Sequence, residues 1–521
     1  MAGAHVRTPS TAVRRLRAAL VATLAVSTVG GGVAAATGTG PFGHRPARSP
    51  AAAPTDEEPD TRDDLARSVP SATLSPTATA SASQTPSRTS TPIRTPRPSA
   101  TASAPATGTG LGGRLTVTTV ALPARLPYLQ SGYNGLAEWA RIDTAAAPDG
   151  TLRVAWPASG SVHVTPLTAS LRRAGSDTVV SNAREVSGLV AHEGGFALLT
   201  RLPDSNKWNE TAAHLVRYSG GARTFDTALT GTATNDTSPV LAGQLRWNGS
   251  KYGAYFVVHG AGGSADGHFG DKLQYVSSDG KKASGGWNWG CSHNQGTALL
   301  PSPSGSFPSV CAEDWRSGIF VSTGIGAPDD APLISREECW AGYCGGTPGG
   351  FVRIGSRYAV AFTTRGAASQ TPDGTGRGYK VTARTRTHQV GLRFLGDAST
   401  PSGSVRTLTG DTSVDNVNVR LAPYGKDRML VSWESYAGAT CSQGTCTGRF
   451  TGTHLRLIDT GGKFLTPDLT VRARIAGDIA ALSNGDLVWA YAAATPDRTG
   501  PLNGSGPTTG TLNIARLAHA P

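Results

Sequence analysis

The sequence predicts an all-β fold, a β-propeller, and three observations predict it. The first is a unit that recurs seven times between residues 142 and 517: an apolar stretch, a Gly-containing turn, an alternating run, a variable loop and a second alternating run. Its turn glycines align as Gly150, Gly194, Gly249, Gly305, Gly355, Gly425 and Gly485, spaced by 44, 55, 56, 50, 70 and 60 residues. A strand unit repeating at roughly 40–50 residues or more marks a propeller. The second is the character of the runs, which are short and rich in aromatic and β-branched residues, with no long helical period among them. The third is length. Residues 111–521 are too many for one compact core, a limit that a ring avoids because each pair of neighbouring blades buries its own apolar layer. Seven units predict seven blades. Six or eight blades fit similar spacings, and a pair of β-sandwiches or a β-helix are the other folds open to such a sequence.

Residues 1–17 carry Arg7, Arg14, Arg15 and Arg17 without an acid, and residues 18–36 are apolar and small, ending in Ala34-Ala35-Ala36. Residues 1–36 are therefore expected to be a signal peptide or signal anchor. Three consecutive glycines make the segment weakly hydrophobic, which favours cleavage over retention as an anchor. Residues 37–110 are dominated by Ala, Ser, Thr, Pro and Arg, with Phe42 as their one aromatic. Such a stretch cannot bury enough apolar surface to fold, and it reads as a disordered linker or stalk.

The propeller domain then occupies 111–521. The run Leu115–Ala121 has no unit of its own and is expected to be the outer strand that completes the last blade. The strand following each turn glycine runs Leu152–Trp156, Phe196–Leu199, Tyr252–Val258, Phe307–Cys311, Tyr358–Phe362, Met429–Trp433 and Leu487–Tyr491. The next strand runs Val162–Leu167, His214–Tyr218, Leu273–Val276, Ile319–Ser322, Val390–Leu395, Leu455–Ile458 and Leu512–Leu517. The run before each glycine forms the innermost strand.

Charge does not point to nucleic acid. The chain is +12, but 11 arginines against six acids lie in residues 1–110, leaving 37 basic and 30 acidic residues spread through the large domain. Without a dense basic run, attraction to an anionic polymer is allowed rather than demanded. A monomer is expected.

All six cysteines lie between residues 291 and 446. An even count in an exported chain points to disulfides. The most economical pairing of the fifteen is Cys339–Cys344, Cys441–Cys446 and Cys291–Cys311. Zinc is the competing reading, although no Cys-x-x-Cys pair is present. Every cysteine except Cys311 falls in a loop on one face, and the long insertions 259–271, 363–379, 435–451 and 492–509 lie there too. Braced long loops on one rim of a rigid ring are where binding or catalysis is expected.

Three chemistries are open on that face. The segment from His259 to Asp271 also carries Asp266 and His268, and Gly-rich backbone with these side chains suits a divalent cation, or is simply a polar turn. The segment Trp287-Asn288-Trp289-Gly290-Cys291-Ser292-His293-Asn294 joins aromatic rings to amide and imidazole groups, as a sugar site requires; the alternative is that both indoles pack between blades. Trp315, Trp340 and Tyr343 would enlarge that patch. Hydrolysis needs two facing carboxylates, for which Glu313, Asp314, Asp415 and Asp478 are the candidates, with Asp271 and Glu434 beside them. Asp415 and Asp478 precede inner strands, a position from which they could point toward the central channel.

The Gly-His-x-Gly-Asp run at 267–271 followed by Gly-Trp-x-Trp-Gly-Cys-Ser-His at 286–293 resembles an element of exported bacterial β-propellers, many of them uncharacterised. That resemblance implies fold and export, and no activity. Ser277-Ser278-Asp279-Gly280 only approaches the Asp-box of sialidases, since its spacing and following aromatic do not fit. The sequence thus points to a secreted or surface-held propeller binding a glycan or cell-envelope polysaccharide. A polysaccharide hydrolase or lyase and a protein-interaction platform are the alternatives.

Overall fold

The computed structural model describes residues 110–131, 137–204, 211–230, 235–237, 241–260, 268–293, 296–302, 305–324, 332–340, 343–372, 374, 379–442, 445–493 and 506–520. The expected signal and linker segments lie outside the described residues, as do Asp266, Asn294 and the side chains of Trp340 and Tyr343. The fold is an all-β propeller of seven blades, each an antiparallel sheet of at least four strands. No helix among the described residues is long and apolar enough to cross a membrane.

From axis to rim, blade 1 runs Asp143–Ala146, Leu152–Ala158, Ser161–Leu167 and Thr178–Ser181. Blade 2 runs Gly188–His192, Gly195–Pro203, Thr211–Ser219 and Ala222–Ala228, and blade 3 runs Gln244–Trp247, Lys251–Gly260, Phe269–Ser277 and Lys282–Gly290. Blade 4 follows with Thr297–Leu299, Ser309–Glu313, Gly318–Val321 and Leu333–Arg336. Blade 5 comprises Thr347–Ile354, Arg357–Thr364, Gln389–Leu395 and Pro401–Thr407. Blade 6 comprises Val414–Tyr424, Arg428–Ser442, Thr445–Asp459 and Leu469–Val471, and its middle hairpin rises as a long arm.

Blade 7 is closed from both ends of the domain. Ala480–Ala481, Leu487–Ala492 and Thr508–Leu517 come from its C-terminal end, and Leu115–Pro127 adds the outer strand in the register Leu115↔Leu517, Val120↔Leu512. This shared blade turns an open row of sheets into a ring without free inner edges.

The seven turn glycines link the first and second strands of the seven blades, and all sit in the left-handed region, with φ from +57° to +99°. A side chain there would be strained, which is why glycine recurs at this point of every unit. Seven separate apolar clusters fill the seven blade interfaces. The closing interface sets Leu152, Val154 and Trp156 of blade 1 against Val488, Ala490 and Ile514 of blade 7. Truncating one such side chain to alanine is expected to cost about 2–5 kcal/mol.

Three disulfides, Cys291–Cys311, Cys339–Cys344 and Cys441–Cys446, brace the loop face. They fit a domain that matures in an oxidising, extracytoplasmic compartment.

Candidate functional site at the ring axis

The short inner strands bring charged side chains from four blades to the axis. Arg141, two residues before the inner strand of blade 1, donates from Nε to Asp143 at 2.8 Å and from Nη1 to the carbonyl of Gly243 in blade 3. Its Nη2 stands 3.8 Å from Asp478, just before the inner strand of blade 7, which is too long for a hydrogen bond. Arg246 of blade 3 crosses the axis the other way. It donates to Asp478 at 2.6 Å, to Gln244 at 2.7 Å and to the carbonyl of Leu299 in blade 4 at 3.1 Å. The backbone N–H of Asp478 donates to Asp143 at 3.1 Å, so the two carboxylates meet at one point.

Their environments push the two acids apart. Burial raises the Asp143 carboxyl against the pull of Arg141. Burial also opposes ionisation of Asp478, but Arg246 and Arg141 outweigh it and hold that group at about 2. Asp143 is 0% exposed and one of its oxygens has no hydrogen-bond partner.

Arg420, on the inner strand of blade 6, is the odd member. Its guanidinium makes one 3.5 Å contact, to the carbonyl of Val419, and its Nε is buried without a partner. Burial and the like charge of Arg141 depress its pKa, while Asp478, Asp143 and Glu434 offset part of that from beyond ion-pair distance. Three guanidiniums therefore face two carboxylates. The neighbouring charges are balanced: Arg474 donates from Nε and Nη2 to both oxygens of Glu434 at 2.9 and 3.1 Å, and Arg201 pairs with Glu185 at 2.6 Å. Arg474 also lies over the half-buried ring of Trp139, 4.2 Å from its centroid, so an aromatic stands beside the cluster.

Of the described residues singled out from sequence, Asp478 and Glu434 lie at this cluster and the others fall elsewhere. Trp289 is 6% exposed and its indole donates to the carbonyl of His268, so packing has consumed it. Trp287 is half-buried and donates to Asp271 at 2.7 Å. His293 pairs with Asp314 at 3.0 Å and lies 5.4 Å, edge to face, from His268. With Trp315, 38% exposed, these residues form the polar rim between blades 3 and 4. Glu313 is buried and takes the guanidinium of Arg316.

Two expectations require correction. Asp415 does not face the axis: it turns toward blade 5, where its Oδ1 accepts the backbone N–H and Nδ1 of His388 at 2.8 and 2.7 Å. Asp271 is not free to join the expected cation set, because it points inward and accepts from Tyr255, Trp287 and Ser322, and Asp266 of that set lies outside the described residues. That enclosed setting, burial above all, pushes Asp271 up to about 6. His259 packs edge-on to Phe269 instead.

Arg141, Asp143, Arg246 and Arg420 escaped the sequence reading. The signal for Asp143 was there, since the position rule that led to Asp478 applies equally to blade 1.

No family model matches the chain, and no curated protein matches it. Among solved structures it is similar to a sialidase of Trypanosoma rangeli, 13% identical over 64% of this chain, with a TM-score of 0.35. The match spans 59% of the sialidase's own length. It is similar to an α-L-arabinanase of Penicillium chrysogenum, 11% identical over 77% of this chain and 98% of the other, with a TM-score of 0.35. A third similarity is to an α-L-arabinanase of Cellvibrio cellulosa, 10% identical over 53% and 92%, with a TM-score of 0.28. These likenesses assign no activity to the chain.

Proposed function

We propose that this is an extracytoplasmic propeller that binds an acidic glycan or cell-envelope polysaccharide at the mouth of its central channel. The anionic group of the ligand docks against Arg420, with Arg141 and Arg246 beside it, and a sugar face rests near Trp139. One observation carries this reading: Arg420 is a half-buried residue whose Nε has no hydrogen-bond partner and whose guanidinium has no carboxylate in ion-pair range among the described residues. An unpaired charge held partly out of water costs several kcal/mol, and an incoming anion with oxygen acceptors relieves that cost.

Hydrolysis is less favoured. A carboxyl acting as general acid must touch the glycosidic oxygen, and Asp143 has no exposed surface while Asp478 is committed to Arg246. A protein-interaction platform would show a contiguous apolar patch. The exposed large hydrophobic residues among those described, Val117, Val179, Trp315 and Leu465, lie one each on blades 7, 1, 4 and 6.

The test is retention and calorimetry of the intact protein on polyuronate, teichoic-type polyphosphate and neutral glucan, with analysis for released oligosaccharides. Binding to an anionic polymer but not to the glucan, weakened by salt and lost in Arg420→Gln, is expected. Binding indifferent to Arg420→Gln would move the site to the rim of blades 3 and 4. Released products that vanish in Asp478→Asn would establish hydrolysis instead.

A further inference from the structure

We propose that His388, Asp415, Cys441 and Cys446 form a site for a zinc-type divalent cation when the Cys441–Cys446 disulfide is reduced. The four residues come from three places on the loop face. His388 precedes the third strand of blade 5, Asp415 is the second residue of the inner strand of blade 6, and the cysteines face each other near the tip of the blade 6 arm. One ligand atom from each lies within 4.8 Å of all the others. His388 Nδ1 is 2.7 Å from Asp415 Oδ1, Cys446 Sγ is 3.4 Å from His388 Nδ1, and Cys441 Sγ is 3.9 Å from Asp415 Oδ1.

Zinc bonds of about 2.0–2.3 Å in a tetrahedron place neighbouring ligand atoms about 3.3–3.8 Å apart. The two edges that join sulfur to nitrogen or oxygen already stand near that spacing. The nitrogen–oxygen edge must open slightly, and the sulfurs separate once their bond is cut. Two thiolates, an imidazole and a carboxylate suit a borderline-soft ion rather than calcium or magnesium. His388, Asp415 and Cys446 are buried, which keeps competing water away.

The chemistry balances. The disulfide takes two electrons from a phosphine, which ends as its oxide with an oxygen from water, and the two protons of that water complete two thiols. The cation then displaces both thiol protons, and the imidazole proton shared with Asp415 moves to Nε2, freeing Nδ1 to ligate. Disulfide and metal are thus alternative locks on one contact between blade 5 and the arm. Among the described residues, the other buried cysteine–acid cluster, Asp271 with Cys291 and Cys311, offers three ligand atoms, and its carboxylate is already held by Tyr255, Trp287 and Ser322. It is not expected to compete.

The experiment titrates the full chain with Co²⁺, oxidised and after phosphine reduction under argon. The reduced chain is expected to bind a single equivalent, with the intense visible bands of tetrahedral cobalt and a thiolate-to-cobalt band in the near ultraviolet. Zn²⁺ should bleach both, and the oxidised chain should show neither. The double variant Cys441→Ser/Cys446→Ser should lose the signal. His388→Gln and Asp415→Asn keep the disulfide, so their folding is checked before reduction. Each should weaken binding by more than the roughly 10–100-fold that losing an outer partner of a metal site costs. Absence of cobalt bands in the reduced chain overturns the proposal. So do bands that persist in the double-serine variant, or affinities unchanged in both single variants.

Discussion

Two arginines close to the axis of this ring stand in opposite circumstances. Arg474 is buried, fork to fork with Glu434, and its partner also accepts from Tyr436 at 3.0 Å. Arg420, on the neighbouring inner strand, has one long contact and an orphaned Nε. The first joins blade 6 to the segment leading into blade 7, and its charges are used up by the fold. The second leaves the fold incomplete at a half-buried point on the inner strand. Guanidiniums placed by one architecture divide by satisfaction: a saturated pair reads as a staple, and an unsaturated one as half of a recognition contact.

The sharpest way to break this contrast is to remove each arginine and read stability and binding together. Arg474→Met strands Glu434 as a buried, uncompensated charge, and urea unfolding should show a loss of about 3–5 kcal/mol. Arg420→Met removes a charge that no carboxylate pairs at close range, so stability should hold or rise. Its affinity for an acidic polymer should nevertheless fall at least about tenfold, about 1.4 kcal/mol, with neutral glycans unaffected. If Arg420→Met destabilises as Arg474→Met does, the axis is a staple throughout and the proposed anion contact is wrong.

Protonation sharpens the same contrast among the acids. Asp478 is held at about 2, so its stabilising contribution is full above the unfolded value near 3.8 and is lost as pH falls toward 2. Asp271 runs the other way, because burial raises it to about 6. The native state keeps that proton between roughly pH 4 and 6 while the unfolded chain gives it up, so stability falls as pH rises through this window and levels off above it. The drop should be on the order of 2–3 kcal/mol. It is checked as the difference in urea midpoint between the wild type and Asp271→Asn from pH 4 to pH 8. A flat difference would mean that Asp271 is ionised throughout.

The ring was legible because its repeat is enforced at a backbone level. Seven glycines at positive φ cannot be exchanged freely, and the strands beside them must be apolar on both faces to fill two interfaces. The axis was only half legible. Position relative to the inner strand led to Asp478, yet the same rule failed for Asp415, because the backbone N–H and imidazole of His388 capture that carboxylate from the outer side. Arg141, Arg246 and Arg420 carry no local pattern in a chain with 48 basic residues. What distinguishes them is the absence or presence of a partner from a blade dozens or hundreds of residues away. The aromatic loop shows the converse: Trp287-Asn288-Trp289 has the composition of a sugar platform, but a bulge between Trp287 and Gly290 breaks the alternation of the outer strand of blade 3 and sends Trp289 into the core between blades 2 and 3 while Trp287 stays on the blade 4 side.

The smallest expected effect concerns the rim that remains. Trp315 is exposed beside the His293–Asp314 pair, and nothing in the apolar clusters depends on it. Trp315→Ala should shift stability by no more than about 0.5 kcal/mol, whereas Trp289→Ala should cost about 3–5 kcal/mol. If a polymer docked at the axis also crosses the rim of blades 3 and 4, the exposed indole adds a stacking contact of about 0.5–1.5 kcal/mol. Affinity for a long acidic chain should then fall about three- to tenfold in Trp315→Ala, while affinity for a short acidic oligosaccharide stays unchanged. Equal loss for both lengths would bring the rim into the same compact site as Arg420. No loss for either would confine recognition to the axis, because a ligand that spans the face has to pay for leaving an accessible indole uncovered.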